Sequence, residues 1–416
     1  MELRIKRSMK KRVVITGLGT VNSIAQNIPD FVQALKKGIC GIGPVNVFDT
    51  TGFRTKTGGE VRNFRPRAMI PRSFSLKRMS RSDRMALAAS LEALRDAKLF
   101  PIPTEYLPEV GVIIGGGAGG MLEGEAVYQA HLNNEPKQLR FSAYSSFCCA
   151  SSADHISAKL GILGPKTTIM TACSSGATAL GYAKDLIQDG AAKIIITGGT
   201  EPLSRITYGA FNALKAVDPE YCKPFAANRQ GMSLGEGSGI MILEDLEFAK
   251  QRNAPIYGEI LGYGISCDSH HMTAPDPQAS GAVRCMQAAL KDANVDRAEI
   301  DYINAHGTAT PANDVTETKA IKAVFGDRAY KIPVSSTKSM TGHTLGAAGA
   351  IEAVACITAI TESFIPPTIH HSEPDPDCDL DYVSSGSRDQ ELQIVMSNSF
   401  AFGGNNTSLV LGKFTK

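Results

Sequence analysis

Residues 167–177 read TTIMTACSSGA, a β-like run that turns into the start of a helical pattern. Apolar residues then recur every three or four positions through residues 177–187, and Gly190 follows as a stop signal. Cys173 stands at the turn between the two patterns. A strand, a sharp turn and a helix in this order predict an α/β protein.

A second copy of this segment lies further along the chain. Residues 170–177 read MTACSSGA and residues 340–347 read MTGHTLGA, so four of eight positions are identical. The run 13–19 resembles 258–264 in the same way, because both end in G-x-G. These matches predict an internal duplication.

A duplication would place Cys173 and His343 at equivalent helix starts, facing one another across a pseudo-two-fold axis. The polar stretch AKQRNAP at 249–255 follows a strand-like run and contains a proline, so we take it as the seam. The predicted halves are residues 1–254, with the cysteine, and residues 255–416, with both candidate histidines.

Length and composition also favour two α/β units. The chain has 416 residues, of which 43% are hydrophobic and 20% charged, which is typical of a folded chain too long for one ordinary core. Its 43 Lys and Arg against 41 Asp and Glu give a net charge of +2, which argues against binding nucleic acid with the whole surface. The 40 glycines exceed the usual share of ~7% and predict tight turns or close backbone approaches.

The glycine-rich segments do not match nucleotide-binding loops. After the GLG at 17–19, the third glycine of a dinucleotide fingerprint would fall at Asn22. Residues 115–120 (GGGAGG) lack the G-K-[ST] ending of a phosphate loop. Residues 231–235 (GMSLG) match the serine-hydrolase pattern, but a polar loop precedes them and a strand-like run follows. A hydrolase that uses Ser233 stays a remote alternative.

Cys173 is the candidate nucleophile. At a helix N-terminus the unpaired amides and the positive dipole end favour the thiolate. Ser174, Ser175 and Gly176 leave little bulk around the sulfur, so a substrate could reach it. The other eight cysteines have no such setting and no disulfide or zinc spacing, which favours a cytoplasmic location.

Two histidines and a lysine complete a candidate Cys/His/His set. His306 follows a strand-like run and enters a Gly/Thr/Pro loop, whereas His343 precedes a helical pattern. A neutral histidine can donate a hydrogen bond to a thioester oxygen as that oxygen becomes negative, which suits thioester chemistry. We expect Lys338, five residues before His343, to pair with Glu317.

Four blocks of the sequence match one family. The blocks are TACSSG (171–176), NAHGTATPAND (304–314), SSTKSMTGH (335–343) and SNSFAFGGNN (397–406). They resemble the signature blocks of the β-ketoacyl-acyl-carrier-protein synthases of the thiolase superfamily, most closely the elongating synthase II type. The resemblance extends over roughly residues 12–413.

The resemblance implies a thiolase fold, with two related halves in a five-layered αβαβα arrangement, and a homodimer. It implies that Cys173 takes an acyl chain from an acyl carrier protein, while His306 and His343 hold a malonyl thioester that loses CO2. The resulting carbanion equivalent attacks the acyl-cysteine and extends the chain by two carbons. The resemblance implies no cofactor, since the substrates are carried on the phosphopantetheine of the carrier.

Further residues take supporting roles by the same resemblance. The backbone amides of Cys173 and Phe402 would form an oxyanion hole, with Phe402 also acting as a gate. Lys338, held by Glu317, would support the histidine pair electrostatically, and Asp314 is a further supporting residue. The implied substrate-binding residues are Thr273, Thr308, Thr310 and Phe400.

Departures from the family pattern concern the substrate. Position 401 is Ala where the loop usually has Gly, and Asn313 replaces a common Gly. A ketosynthase subunit of a type II polyketide or polyene pathway, paired with a non-catalytic chain-length-factor-like chain, therefore stays an alternative. We expect Ala401→Gly to ease opening of the gate and to alter acylation rate or chain-length preference. An unchanged acyl-chain profile in a carrier-protein elongation assay would count against this hinge.

Residues 62–84 form a basic strip, in which eight Lys or Arg stand against the single acid Asp83. Acyl carrier proteins are acidic and dock in this family on basic residues near this helix start, so electrostatic steering would explain the strip. No aromatic interleaving supports nucleic acid as the partner. The expected docking residues are Lys77, Arg78, Arg81 and Arg84.

The remaining features predict neither membrane nor metal binding. The first twelve residues carry six Lys or Arg and are expected to form a solvated leader. No apolar run is expected to approach the 18 residues of a membrane span. The histidine pair at 270–271 has no carboxylate at ligand spacing apart from Asp268, and the pair at 370–371 lies in a Pro-rich loop, so no metal site is expected.

Overall fold

The computed structural model describes residues 11–135 and 141–415, so most of the basic leader lies outside the described residues. The strands are β1 (Val13–Asn22), β2 (Gly43–Pro44), β3 (Thr57–Gly58), β4 (Val110–Gly115), β5 (Lys166–Ile169), β6 (Ile194–Glu201), β7 (Gly237–Asp245), β8 (Gly258–Cys267), β9 (Tyr302–Asn304), β10 (Val334–Ser335), β11 (Phe364–Ile365), β12 (Arg388–Asp389), β13 (Ile394–Ala401) and β14 (Asn405–Gly412). The α-helices are α1 (Ile28–Lys37), α2 (Pro66–Met69), α3 (Arg81–Asp96), α4 (Met121–Leu132), α5 (Ser151–Leu160), α6 (Ser175–Gln188), α7 (Arg205–Ala213), α8 (Leu246–Gln251), α9 (Ser280–Ala293), α10 (Pro311–Phe325), α11 (Lys338–Thr341) and α12 (Ala348–Glu362).

Ten strands form one sheet whose two ends repeat the same order. The first five run β5-β4-β6-β7-β1 and the other five run β10-β9-β13-β14-β8. In each half three neighbouring strands are parallel, and the fourth is antiparallel to both of its neighbours. The predicted duplication and α/β class are therefore confirmed, whereas the division at residues 254/255 stays a prediction.

The two halves of the sheet touch only briefly and then diverge. β1 pairs with β8 at two positions, Val14 with Glu259 and Ile15 with Gly258. Beyond them, carboxylates of the outer helices take the strand amides: Asp96 accepts from Leu18 at 2.9 Å and Asp292 accepts from Tyr263 at 3.2 Å. These equivalent bonds end the ladder in both halves, since each satisfies a backbone donor that would otherwise seek the other strand.

Helices α6 and α12 lie between the diverging sheets and form the central layer. Helices α3 and α5 cover the outer face of the first sheet, and α9 and α10 cover that of the second. The central layer is the most apolar, and every residue of α12 from Ala348 to Ile360 is buried. The sequence of layers is helix, sheet, helix, sheet, helix, as the thiolase fold requires.

One described segment, Leu345–Glu362, is long and apolar enough to cross a membrane by length and composition. The expectation that no apolar run approaches 18 residues is therefore wrong. In the structure 83% of this stretch is buried inside the protein, because most of it forms the central helix α12.

The glycine pairs of β1 and β8 mark where an outer helix packs against the backbone. A Cβ at Gly19 would lie 2.0 Å from the carbonyl oxygen of Ala89 on α3, and one at Gly264 would lie 2.2 Å from that of Cys285 on α9. A side chain would separate helix from strand at either position. Close packing therefore accounts for the G-x-G of both halves, as their sequence match predicts.

The duplication does not, however, equate Cys173 with His343. Cys173 is the second residue of the short turn Ala172–Ser174 before α6, and Gly346 is the second residue of the corresponding turn Leu345–Ala347 before α12. The first residue of each turn has a positive φ, +51° at Ala172 and +46° at Leu345. His343 lies three residues before the equivalent position, so the alignment of the two motifs by their identical letters is wrong by three residues.

Candidate active site

A strained turn presents Cys173. The residue before it, Ala172, adopts a left-handed backbone that costs a residue with a side chain roughly 1–2 kcal/mol. Neighbouring hydroxyls hold the turn: Ser175 Oγ donates to Ala172 O at 2.7 Å and accepts from Thr171 N at 2.9 Å, and Ser174 Oγ donates to Thr171 O at 2.8 Å. These bonds fix the backbone on both sides of Cys173.

The Cys173 sulfur is protonated at rest. Burial raises the pKa of its thiol to about 11, although the charge of Lys338 and the backbone N–H of Phe402 lower it. The sequence predicts a thiolate at this helix start, whereas burial of the sulfur in the structure favours the thiol. The bond from the Phe402 amide to the sulfur places that amide where an oxyanion hole would need it.

His306 and His343 lie against each other and face the same cavity as the cysteine. Their ring centroids are 5.3 Å apart with the planes at 84°, and both side chains are buried. Burial and the charge of Lys338 lower the pKa of both imidazoles well below the ordinary value of 6.5. Both rings are therefore neutral at pH 7.

The partners of the two Nδ1 atoms assign the tautomers. His343 Nδ1 lies 3.3 Å from the backbone N–H of Leu345, and His306 Nδ1 lies 3.3 Å from Lys338 Nζ. Each Nδ1 meets a donor and must accept, so in each ring the proton sits on Nε2. His343 Nε2 has no hydrogen-bond partner in the described structure. The pair thus offers two N–H donors for one substrate oxygen.

Lys338 pairs with Glu352 and not with Glu317. Its Nζ makes a short, fully buried contact with Glu352 Oε1, so the predicted Lys338–Glu317 pair is wrong. Glu352 lies on α12, about one turn beyond the start of that helix. Sequence reasoning missed this residue, although a lone carboxylate in the apolar run AGAIEAVACITAI marks a buried charge that needs a partner.

Glu317 and Asp314 hold the loop that carries His306. Glu317 accepts from the backbone N–H groups of His306 and Gly307, both at 2.8 Å. Asp314 accepts from Ala309 N at 3.1 Å and Phe225 N at 2.7 Å. Burial raises the pKa of Glu317 to about 7, opposed by these amide bonds. Both acids from α10 therefore act on the loop backbone.

The predicted substrate-binding residues all line one cavity with the cysteine and the histidines. The cavity has a volume of about 300 Å³. Thr308 Oγ1 and Thr310 Oγ1 share a hydrogen bond of 3.0 Å across one wall. Further lining residues, which were not predicted to bind substrate, come from other parts of the chain: Leu214, Ala216, Met232, Asp268, Asn313 and Asn406.

Phe402 closes the cavity beside Phe211, with the ring centroids 5.6 Å apart. Ala401 before it has an ordinary extended backbone (φ −110°, ψ 155°), whereas Gly403 and Gly404 have left-handed φ values of 79° and 73°. In this conformation Ala401 is unstrained, so any effect of Ala401→Gly must come from freedom of movement. That effect stays a prediction.

The basic strip divides into exposed and paired residues. Lys77 and Arg78 are exposed on the segment before α3. Arg81, in contrast, forms a two-pronged ion pair with the buried carboxylate of Glu236, at 2.6 and 2.8 Å. Arg84 is half-buried, near Glu123. Arg81 is therefore not a free docking residue, and this part of the prediction is wrong.

Ser233 does not form a nucleophile elbow. It is buried in a loop before β7, where its Oγ accepts from Cys222 N at 2.9 Å.

The histidine pair at 270–271 lies in a loop, where His271 Nδ1 accepts from the backbone N–H of Thr273 at 3.1 Å. Within residues 11–135 and 141–415, no three His, Cys, Asp or Glu side chains gather where they could hold a metal ion.

Comparison with known proteins agrees with this geometry. The sequence matches the family described as β-ketoacyl synthase, with its N-terminal domain at residues 10–249 and its C-terminal domain at residues 257–372. A Synechocystis protein named 3-oxoacyl-[acyl-carrier-protein] synthase 2 is 44% identical over 412 residues, which cover 97% of this chain and 99% of that protein.

Solved structures are similar over the same extent. The ishigamide ketosynthase/chain length factor superposes with a TM-score of 0.92 at 38% identity, covering 98% of this chain and 100% of that one. A ketosynthase bound to the hexaketide, in complex with its type II polyketide acyl carrier protein, gives 0.88 at 33% identity with the same coverage.

Proposed function

Because the chain belongs to the β-ketoacyl synthase family, we propose that it catalyses the decarboxylative condensation of fatty-acid chain elongation. Malonyl-ACP loses CO2 and joins an acyl group held on Cys173, which gives a 3-oxoacyl-ACP two carbons longer. The observation that carries this proposal is the neutral pair His306 and His343, which shares one cavity with the cysteine. Relatives named 3-oxoacyl-[acyl-carrier-protein] synthase 2 support fatty acids as the product class.

The first step moves the acyl group from its carrier to Cys173. The sulfur attacks the thioester carbonyl, the bond from that carbonyl to the carrier sulfur breaks, and the thiol proton ends on the released carrier thiol. Because the resting group is a thiol, its proton must leave during the attack, and it passes to the carrier sulfur as that sulfur departs. The charge of Lys338 favours the sulfur as it becomes negative.

The second step breaks the bond between the malonyl carboxylate and the methylene carbon. CO2 departs and its bonding electrons form an enolate on the thioester, with the negative charge on the thioester oxygen. The two Nε2–H groups donate to that oxygen. Neutral donors suit this role, because they need not lose a proton and are held by Lys338 and Leu345 before the substrate arrives.

The third step forms the carbon–carbon bond. The enolate carbon attacks the acyl-Cys173 carbonyl, and the amides of Cys173 and Phe402 hold the oxygen of the tetrahedral intermediate. The bond to the cysteine sulfur then breaks, and the sulfur takes up a proton. Malonyl-ACP, acyl-cysteine and one proton thus give 3-oxoacyl-ACP, CO2 and the free thiol. No cofactor enters this balance.

The carrier delivers both substrates through the cavity mouth. Phosphopantetheine would extend past Thr273, Thr308 and Thr310, whose hydroxyls can bond its amide groups, with Phe400 along the same wall. The exposed Lys77 and Arg78 would meet the acidic carrier protein. A solved relative described as a ketosynthase in complex with its acyl carrier protein supports this partner.

A second ketosynthase-type chain is the other proposed partner. The two edge strands of the sheet differ in how far they are covered. The chain covers β10, where Val334 N donates to Asp381 O at 2.8 Å. The other edge strand, β5, has half-exposed residues and is followed by Met170, which is 67% exposed. An open edge strand can pair with another chain. Exposed apolar side chains of the same half line a groove of about 600 Å³; they include Tyr128, Leu132, Tyr144, Phe147 and Ile206. We propose that β5 and this groove form the face of a homodimer.

A type II polyketide ketosynthase is the second candidate function. It is favoured by the solved structures of ketosynthases with chain length factors, one of which superposes with a TM-score of 0.92. In that case a non-catalytic chain would cover the β5 face. Activity of the purified chain without a partner separates the two candidates.

We also propose a cytoplasmic location, since all nine cysteines are free thiols.

Intact-mass analysis after incubation with acyl-ACPs of several chain lengths tests the proposed function. We expect one acyl group per chain, located on Cys173 by peptide mapping, and extension by two carbons after malonyl-ACP is added. Cys173→Ala is the matched control and should take up none. The absence of an adduct with every acyl-ACP would overturn the proposal, and labelling of Ser233 by a phosphonate would restore the hydrolase alternative.

A further inference from the structure

The backbone of His343 is held on both sides by one short segment. Its N–H donates to Ser233 O at 2.6 Å, and its C=O accepts from Gly235 N at 2.8 Å. Residues 233–236 thus lie beside His343 as a strand lies beside its neighbour, although they form only an isolated bridge centred on Leu234. The position of the His343 imidazole therefore depends on the position of residues 233–236, because both backbone hydrogen bonds of His343 are made to that segment.

The segment is fixed in turn from its other side. Gly59 N donates to Leu234 O at 2.8 Å, and Glu236 N donates to Gly59 O at 3.0 Å. The packing is close: a Cβ at Gly59 would lie 2.0 Å from the carbonyl oxygen of Thr341, two residues before His343. A shift of residues 233–236 would therefore reach His343 and could not be absorbed by empty space.

The Glu236 side chain anchors the segment, and Arg81 anchors Glu236. The carboxylate is fully buried and accepts from Val61 N at 2.9 Å and Leu203 N at 3.2 Å. The guanidinium of Arg81 bonds both of its oxygens and also donates to Val61 O at 2.8 Å. Only a planar fork can make these bonds together, and the ammonium of a lysine cannot.

We propose that Arg81 is a positioning residue for His343 and acts through Glu236 and the 233–236 segment. This inference rests on the proposed function only in its kinetic consequence. Arg81 lies in the basic strip, yet its contacts connect it with the histidine that would bind the malonyl thioester. A loss of this fork should therefore slow the chemical step and leave carrier docking unchanged.

Arg81→Lys tests the proposal, because it keeps the charge and loses the fork. CO2 release is measured from malonyl-ACP and from a small substrate, the malonyl thioester of N-acetylcysteamine. We expect kcat to fall on both substrates by the same factor, between about tenfold and about a hundredfold, with KM for malonyl-ACP unchanged. Arg78→Ala is the matched control from the exposed part of the strip and should raise only the KM for malonyl-ACP.

Amide hydrogen exchange supplies a measurement that does not depend on activity. In Arg81→Lys the amides of Gly235 and His343 should exchange faster, whereas that of Ile303, beside the other histidine, should not change. A higher KM for malonyl-ACP with normal kcat would show that Arg81 docks the carrier, which would overturn the proposal. Unchanged exchange at both amides, or faster exchange throughout the protein, would also overturn it. If the native protein releases no CO2, the proposed function fails while the exchange comparison still decides the role of Arg81.

Discussion

A single buried charge organises the site at the scale of residues. The ammonium of Lys338 contacts Glu352 and His306, and its charge lowers the pKa of both histidines. It also lowers the pKa of the Cys173 thiol, which burial raises. One lysine thus favours the neutral rings and the anionic sulfur together, which are the forms that the two half-reactions need.

The neutral histidines predict an unusual pH dependence. An exposed histidine pair would lose half of its neutral form near pH 6.5, but here CO2 release from malonyl-ACP should stay constant as the pH falls through 6.5. The free energy of unfolding, in contrast, should depend on pH in this range. Below pH 6.5 the histidines of the unfolded chain bind protons but those of the native protein do not, so the free energy of unfolding decreases as the pH falls.

The measurements are a pH profile of the decarboxylation rate and a pH series of urea unfolding. His343→Gln is the control for stability, because it removes one of the two groups and should flatten the acid side of the series. A decarboxylation rate that halves near pH 6.5 would show that at least one ring is protonated in the ordinary range.

If Lys338 pairs with Glu352 and not with Glu317, the free energy of unfolding should depend on the Glu352 carboxylate. Glu352→Gln leaves the ammonium buried without its carboxylate, which should lower the free energy of unfolding by about 3–5 kcal/mol. Adding Lys338→Met should recover part of that loss, since no unpaired charge remains. Urea unfolding of the single and double variants measures the coupling, and a larger coupling of Lys338 with Glu317 would contradict the pairing described here.

At the scale of elements, the crossing of α6 and α12 brings the two halves together around the site. A Cβ at Gly176 would lie 2.9 Å from Ala350 Cβ, and one at Gly349 would lie 2.7 Å from Ala177 Cβ. The contacts are equivalent under the duplication, and they set how closely the turns that begin the two helices approach. The site depends on this distance because Cys173 and His343 are attached to opposite helices.

Gly176→Ala tests the crossing. The added methyl group should lower the free energy of unfolding by about 1–3 kcal/mol, because the helices cannot separate without loss of packing in the central layer. Ala350→Gly combined with it should restore part of the loss, and urea unfolding of the three variants measures both effects. Additive losses would show that the two positions do not share one contact.

The sequence predicted the elements better than their register. The repeated motif and the G-x-G pairs indicated the duplication, because identical packing needs identical small residues in both halves. The three-residue offset between Cys173 and His343 was hidden, since residues 170–177 and 340–347 share letters without sharing places in the fold. Glu352 was hidden for another reason: only the packing of α12 brings it to Lys338.

At the scale of the whole molecule, the proposed partners are a carrier protein at the basic strip and a second chain at the β5 face. The net charge of +2 does not show the basic strip, because it is an average over the whole chain. Within the strip, the sequence does not show that Arg81 is paired, because its partner Glu236 is 155 positions away. Charge counting could not separate Arg81 from Lys77 and Arg78, because that distinction depends on burial. Lys77 and Arg78 are the two residues that we propose for carrier docking.

Charge reversal at Lys77 and Arg78 tests the carrier face. Lys77→Glu with Arg78→Glu should raise the apparent KM for malonyl-ACP and weaken its dependence on salt, because steering toward an acidic partner is lost. The rate on a small malonyl thioester should be unchanged. Equal losses on the carrier-bound and small substrates would refute docking at this face.

The central claim is that the histidine pair drives decarboxylation while Cys173 carries the acyl group. Release of CO2 from malonyl-ACP by Cys173→Ala and His343→Ala separates these roles in one measurement. Cys173→Ala should still convert malonyl-ACP to acetyl-ACP, although it forms no 3-oxoacyl product. His343→Ala should lose about 10²–10³-fold in CO2 release, as expected when one oxyanion donor is removed. Normal CO2 release by His343→Ala, or none by Cys173→Ala, would contradict the account.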